Sequence, residues 1–100
     1  MRYLRVIWRH AFPDEPVLLY SEVDEEGWER RKLEIFADGR VGFADSAEQN
    51  LSTFLSETQI PSNDEIASDA QFVPSEIGKE EFERVWAQRR SGIIDAASQG

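Results

Sequence analysis

The only histidine, His10, closes an alternating segment, one residue ahead of Phe12-Pro13-Asp14-Glu15-Pro16. Imidazole titrates near neutrality, so a histidine at a strand end is a candidate general base. A triad would also need a nucleophile and an orienting acid at workable spacing, and the neighbouring residues supply neither, which favours a structural role. Arg31 lies two residues before Leu33 on the apolar side of a strand pattern, so its guanidinium needs a carboxylate, and Glu22 or Glu29 can provide one. His10, Tyr20, Glu22 and Arg31 are therefore the residues from which a ligand pocket on the sheet would be built, with a structural ion pair as the stronger reading of Arg31.

Glu22, Asp24, Glu25, Glu26 and Glu29 crowd around one turn. A calcium loop needs oxygen ligands at set spacings with a glycine between them, and D-E-E-G-W-E lacks that order, so the cluster reads as a solvated acidic turn. Cysteine is absent, which removes thiolate chemistry, disulfides and cysteine-based metal sites. There is no glycine-rich phosphate loop, and Gly39 and Gly42 read as hairpin glycines. No cofactor and no metal is expected. Trp8 and Trp86 fall on predicted core faces, whereas Trp28 opens a strand on its charged side and is a candidate contact residue.

These residues need a scaffold, and the chain supplies one in short pieces. Residues 2 to 10 alternate with Leu4, Val6 and Trp8 on one side, the period of a half-buried strand. Two prolines break it, and a second strand runs from Val17 to Asp24. A turn at Asp24-Glu25-Glu26-Gly27 returns the chain through Trp28 to Ala37, with Leu33 and Ile35 facing one way and Arg30, Lys32 and Glu34 the other. Asp38-Gly39 suits a two-residue type I′ hairpin, which pairs Phe36 with Val41 and Glu34 with Phe43. Thr53-Phe54-Leu55-Ser56 reads as a fifth, edge strand. Ser62-Asn63-Asp64-Glu65 has the form of a capping box and starts a short helix near 63–68 that carries Ile66 inward. Lys79 to Arg90 places Phe82, Val85, Trp86 and Arg89 on one stripe, with acids early and bases late. The sum is one α+β domain over residues 1–90, an antiparallel β-meander of four to five strands packed against a C-terminal helix, followed by a small polar tail at 91–100.

Charge bears most directly on function. The net charge is −9. From Val41 to Gly78 the chain has seven acids and no Lys or Arg, whereas the flanking parts are nearly balanced. Nucleic acid is a poor partner for such a chain, because phosphate contacts need clustered bases. A basic protein is a good one. Asp45, Glu48, Glu57, Asp64, Glu65 and Asp69, with Trp28, form the candidate partner-binding set. The basic residues at the start of the chain interrupt any signal-peptide core, and no apolar run reaches the length of a membrane span, so a cytoplasmic protein without membrane contact is expected.

Several stretches resemble a family of small bacterial proteins catalogued as a domain of unknown function. They are Asp14 to Asp24, Arg31 to Arg40, Pro61-Ser62 with Glu65-Ile66, and Glu80 to Trp86, in that order over about residues 1 to 90. The resemblance implies a recurring domain and brings no catalytic residue or cofactor with it. Size and charge are similar to those of immunity proteins that neutralise secreted toxins. Together these features lead us to expect a non-enzymatic, acidic protein-binding module, of the kind that inhibits a basic toxin. The rivals are a small-ligand binder or enzyme using a cleft on the sheet, and a homo-oligomeric structural subunit.

Overall fold

A computed structural model describes residues 1–90, so the polar tail expected at 91–100 lies outside the described residues. The strands are β1 (Arg2–Trp8), β2 (Leu18–Val23), β3 (Glu29–Ile35), β4 (Val41–Ala44) and β5 (Phe72–Ile77); the helices are α1 (Asn63–Ala67), before β5, and α2 (Lys79–Ala87), after it. The sheet is antiparallel throughout, in the order β4-β3-β2-β1-β5. The α+β meander read from the sequence is present.

The fifth strand is not where the Thr53–Ser56 pattern put it. It is β5, which returns to pair with β1, Tyr3 opposite Ile77 and Trp8 opposite Phe72. Pro74 hid it, because proline interrupts a strand pattern. At an edge it costs nothing. The odd-numbered residues of β1 turn their amides toward β5, as Arg9 N–H donates to the Gln71 carbonyl at 2.7 Å. Pro74 stands opposite Val6, so its nitrogen faces the open rim, where no ladder donor is needed.

The hairpin register also differs. Val41 pairs with Ile35 and Phe43 with Leu33, one residue away from a two-residue turn. Of the turn residues only Gly39 has positive φ, at 91°; Gly39 N–H donates to the Phe36 carbonyl and Phe36 N–H to the Arg40 carbonyl, closing a three-residue loop with a bulge. Asp38 stays at negative φ and accepts from Arg40 N–H at 3.1 Å. The shift matters because a one-residue slip reverses every side chain. Phe43 consequently faces the same way as Leu33.

That face is the first core layer. Tyr3, Leu18, Tyr20, Leu33, Ile35 and Phe43 meet Phe82, Val85 and Trp86 of α2, which presents the stripe its sequence predicts. Regular helix ends at Ala87, three residues short of the Arg90 expected, and Arg89 folds back to donate to the Trp86 carbonyl. On the opposite face Leu4, Val6 and Val23 are buried under Ile60, Ile66 and Phe72. Trp8 belongs to this second face and is only half-buried, not the core residue its pattern suggests, because β1 runs out beneath it.

Both rims of the sheet are finished locally. Beside β4, Asn50 takes the place of a strand: its Oδ1 accepts from Phe43 N–H at 2.7 Å, its own N–H donates to the Phe43 carbonyl, and its Nδ2 donates to the Val41 carbonyl. At β5 the missing donor is that of Pro74.

Candidate functional site

The second face is covered by a strap, residues 51–62, that has no regular structure. Polar side chains of β3 fasten it. Glu34 accepts from the Thr53 hydroxyl at 2.7 Å, Lys32 Nζ donates to the Phe54 carbonyl at 2.8 Å, and Glu29 accepts from Ser56 N–H at 2.8 Å. Farther along, Ile60 N–H donates to the Gly27 carbonyl and Arg2 to the Pro61 carbonyl. Gly42 makes room for this: a Cβ there would lie 2.2 Å from Thr53 Oγ1.

Glu29 is the least expected of these groups. It reaches the strap face because a bulge in β3 shifts register between Glu22 and Val23, and its side chain is 1% exposed. One carboxylate oxygen accepts from the Ser21 hydroxyl at 2.6 Å; the other faces Lys32 Nζ at 3.2 Å as well as Ser56 N–H. A buried carboxylate with an ammonium and two hydrogen-bond donors is fully engaged.

Between the strap and α1 the cover parts. A groove of about 410 Å³ runs over β1 and β2, with Leu4, Val6 and Leu19 as its floor and Ile60, Ile66 and Phe72 in its walls. Ser21, Glu29, Lys32 and Glu34 lie along one side, and Glu65 and Asp69 along the other. Ser62 caps α1 by accepting from Glu65 N–H at 3.2 Å; the Glu65 carboxylate bonds back to the Ser62 hydroxyl and not to its amide, so half of the expected capping box forms. Glu65 and Asp69 are thus four residues apart beside the same groove. An apolar cleft with a few polar groups is the usual form of a binding site. Lys32 is its single base, and the strap carbonyl and Glu29 already hold it.

The partner-binding residues read from the sequence divide. Glu65 and Asp69 line the groove, and Asp64 stands exposed in the first turn of α1. Glu57 is exposed on the strap, and Trp28 is 40% exposed near it. Asp45 and Glu48 follow β4 at the far rim, four strand spacings and so roughly 19 Å of sheet from β5. Both are engaged there. Asp45 accepts from Ala47 and Glu48 N–H, which holds its carboxyl below the ordinary range, and Glu48 pairs with Arg89 at 3.6 Å and with Arg90.

Of the four pocket residues, three share the helix face. Arg31 is forked between Glu22 at 2.7 Å and Glu83 at 2.8 Å, and lies over the Phe82 and Trp86 rings. The guanidinium holds both carboxyls below their ordinary range, and the carboxylates raise the arginine further. Tyr20 is fully buried, which pushes its hydroxyl up. His10 is elsewhere, past the end of β1, where Nε2 donates to the Pro16 carbonyl at 2.7 Å and Nδ1 accepts from Phe12 N–H at 2.9 Å. Those two bonds fix the neutral Nε2–H tautomer. The sheet does carry a cleft, on the face opposite Tyr20, Glu22 and Arg31. Among the described residues no group of three His, Cys, Asp or Glu side chains could hold a metal ion, and no helix is long and apolar enough to cross a membrane.

The groove's own apolar residues carry a signal that sequence reasoning can use. Leu18 and Leu19, like Tyr3 and Leu4, are consecutive apolar residues in strands, which requires cover on both faces of the sheet.

The chain belongs to the family described as a domain of unknown function, DUF6881, whose model matches residues 2–91. Neither the curated proteins nor the solved structures contain a match to it.

Proposed function

We propose that this member of the family is a non-enzymatic binding module for a basic protein, and that its groove receives an apolar segment of that partner flanked by Lys or Arg. The observation that carries this reading is the groove's composition. Its floor and walls are aliphatic and aromatic, and of its charged groups only Lys32 is a base. Glu65 and Asp69 are exposed at its wall, with Asp64 and Glu57 nearby in sequence. Apolar anchors supply affinity in such a surface, and the surrounding carboxylates steer encounter and reject acidic competitors. Inhibition of a basic, phosphate-binding toxin is the form of this function that the −9 charge favours, since a phosphate-binding surface carries the complementary sign.

A peptide-display selection tests it. The wild-type protein should enrich sequences that combine two or more apolar anchors with Lys or Arg, and their association should slow as salt is raised. Leu19→Lys places a cation on the groove floor and should abolish the enrichment. Enrichment that is absent, free of basic residues, or unchanged in Leu19→Lys would sink the reading.

A further inference from the structure

Four arginines of this chain lie over aromatic rings, and each is also held by a carboxylate. Arg31 covers Phe82 at 4.8 Å with Glu22 and Glu83 as partners. Arg40 covers Phe36 at 4.8 Å with Asp38. Arg89 covers Trp86 at 4.3 Å and Arg90 covers Phe43 at 5.1 Å, both paired to Glu48. Ring, guanidinium and carboxylate recur as a unit, in which the ring face attracts the cation and the acid orients its fork.

One aromatic group departs from this. Phe72, Trp8, His10 and Phe12 form a continuous row at the end of the sheet, with centroids 5.6, 4.3 and 5.5 Å apart in that order. Phe12, 61% exposed, stacks on His10 at an interplanar angle of 24°. The Trp8 indole N–H is bonded to Gln71, and His10 is tied at both nitrogens, so the row is held in place. Trp8 and Phe12 line a cavity of about 380 Å³ with Pro13, Asp14 and Glu15. Among the described residues neither carboxylate has an ion-pair partner, and no arginine covers these rings. Arg9, the nearest base in the chain, has the opposite strand parity to Trp8. Rings and acids are present and the cation is not.

We propose that this pocket binds an arginine side chain of a protein partner, its guanidinium against Trp8 and Phe12 and its charge met by Asp14 and Glu15. Phe72 lies both in the groove wall and in the aromatic row, so the pocket continues the groove past its end. The proposal rests on the groove reading only in assigning both surfaces to one partner; the pocket itself is tested alone.

The probe is butylguanidinium, with neutral butylurea as its near-isostere, titrated into the whole chain and followed by NMR. Butylguanidinium should shift the Trp8 Nε1–H and the Phe12, Asp14 and Glu15 amides saturably, while butylurea shifts them weakly. Phe12→Ala, at an exposed position, should weaken binding by about two- to fivefold. Asp14→Asn with Glu15→Gln should remove the preference for the cation. Equal response to the two probes, or an unchanged response in Phe12→Ala, overturns the proposal. Leu19→Lys should leave the butylguanidinium shifts intact, so a failed groove and a failed pocket give different results.

Discussion

The two faces of the sheet are closed by different chemistry. On one, an amphipathic helix lays Phe82, Val85 and Trp86 onto the strands, and arginines drawn in meet carboxylates of the same chain: Arg31 meets Glu22 and Glu83, and Arg5 meets Glu81 at 3.3 Å. On the other, a strap without periodicity is fastened by Glu29, Lys32 and Glu34 and, before it turns into α1, diverges from it over the sheet, leaving apolar floor uncovered. The cleft that the helix face keeps, about 480 Å³ at the β4 rim, is walled by bases, Arg40, Arg89 and Arg90. The strap face retains apolar surface and acids that the chain itself leaves uncovered, and our proposal of a binding groove rests on that asymmetry.

Mutations can break the comparison. The largest effect should come from Phe82→Ala, which empties a fully buried site between α2 and Tyr3 and should cost about 3–5 kcal/mol in urea unfolding. The same truncation at Ile66, only half-buried, should cost much less; equal losses would mean that the strap face is as tightly packed as the helix face.

Arg31→Met should follow, at about 2–4 kcal/mol, because it strands the Glu22 carboxylate, 10% exposed, beside the Tyr3 hydroxyl. This pair also sets a pH dependence. Glu22 and Glu83 titrate lower in the folded chain than their ordinary 4.5, so their stabilisation is whole above that pH and fades as pH falls through the depressed values. Acid titration of unfolding should show the decline in the wild type and a shallower one in Arg31→Met. Parallel curves would remove Arg31 as its cause.

Gly42→Ala should be milder, about 1–3 kcal/mol, since its Cβ must push Thr53 off Glu34. Hydrogen exchange sharpens this one: the Ser56 amide, bonded to Glu29, should lose protection while α2 amides keep theirs. Loss of protection across both would show that the strap and the helix face unfold as one unit.

What could be read from the sequence follows the same division. Helix α2 and strands β1 to β4 were legible because their burial repeats with the period of the backbone. The strap was not, for Thr53, Phe54 and Ser56 are held by side chains on another strand, and such bonds leave no period behind. β5 was concealed by Pro74, a residue that an interior strand would reject and an edge accepts. Of the acids that the charge reading singled out, Glu65 and Asp69 line the groove, which composition does not reveal, and Asp45 and Glu48 spend their charge on a loop and on Arg89 and Arg90. The Glu29 position depended on a bulge, which no alternation announces.

The finished rims carry a last consequence. Asn50 occupies the hydrogen-bonding groups of β4, and Pro74 withholds one from β5, so neither border of the sheet offers a continuous template on which a misfolded copy or a sticky extended peptide could grow. An apolar groove open to solvent carries a risk of clumping. Here the hazard is confined to a concave surface, while the borders, where fibrils seed, are shut by one amide side chain and one imino acid.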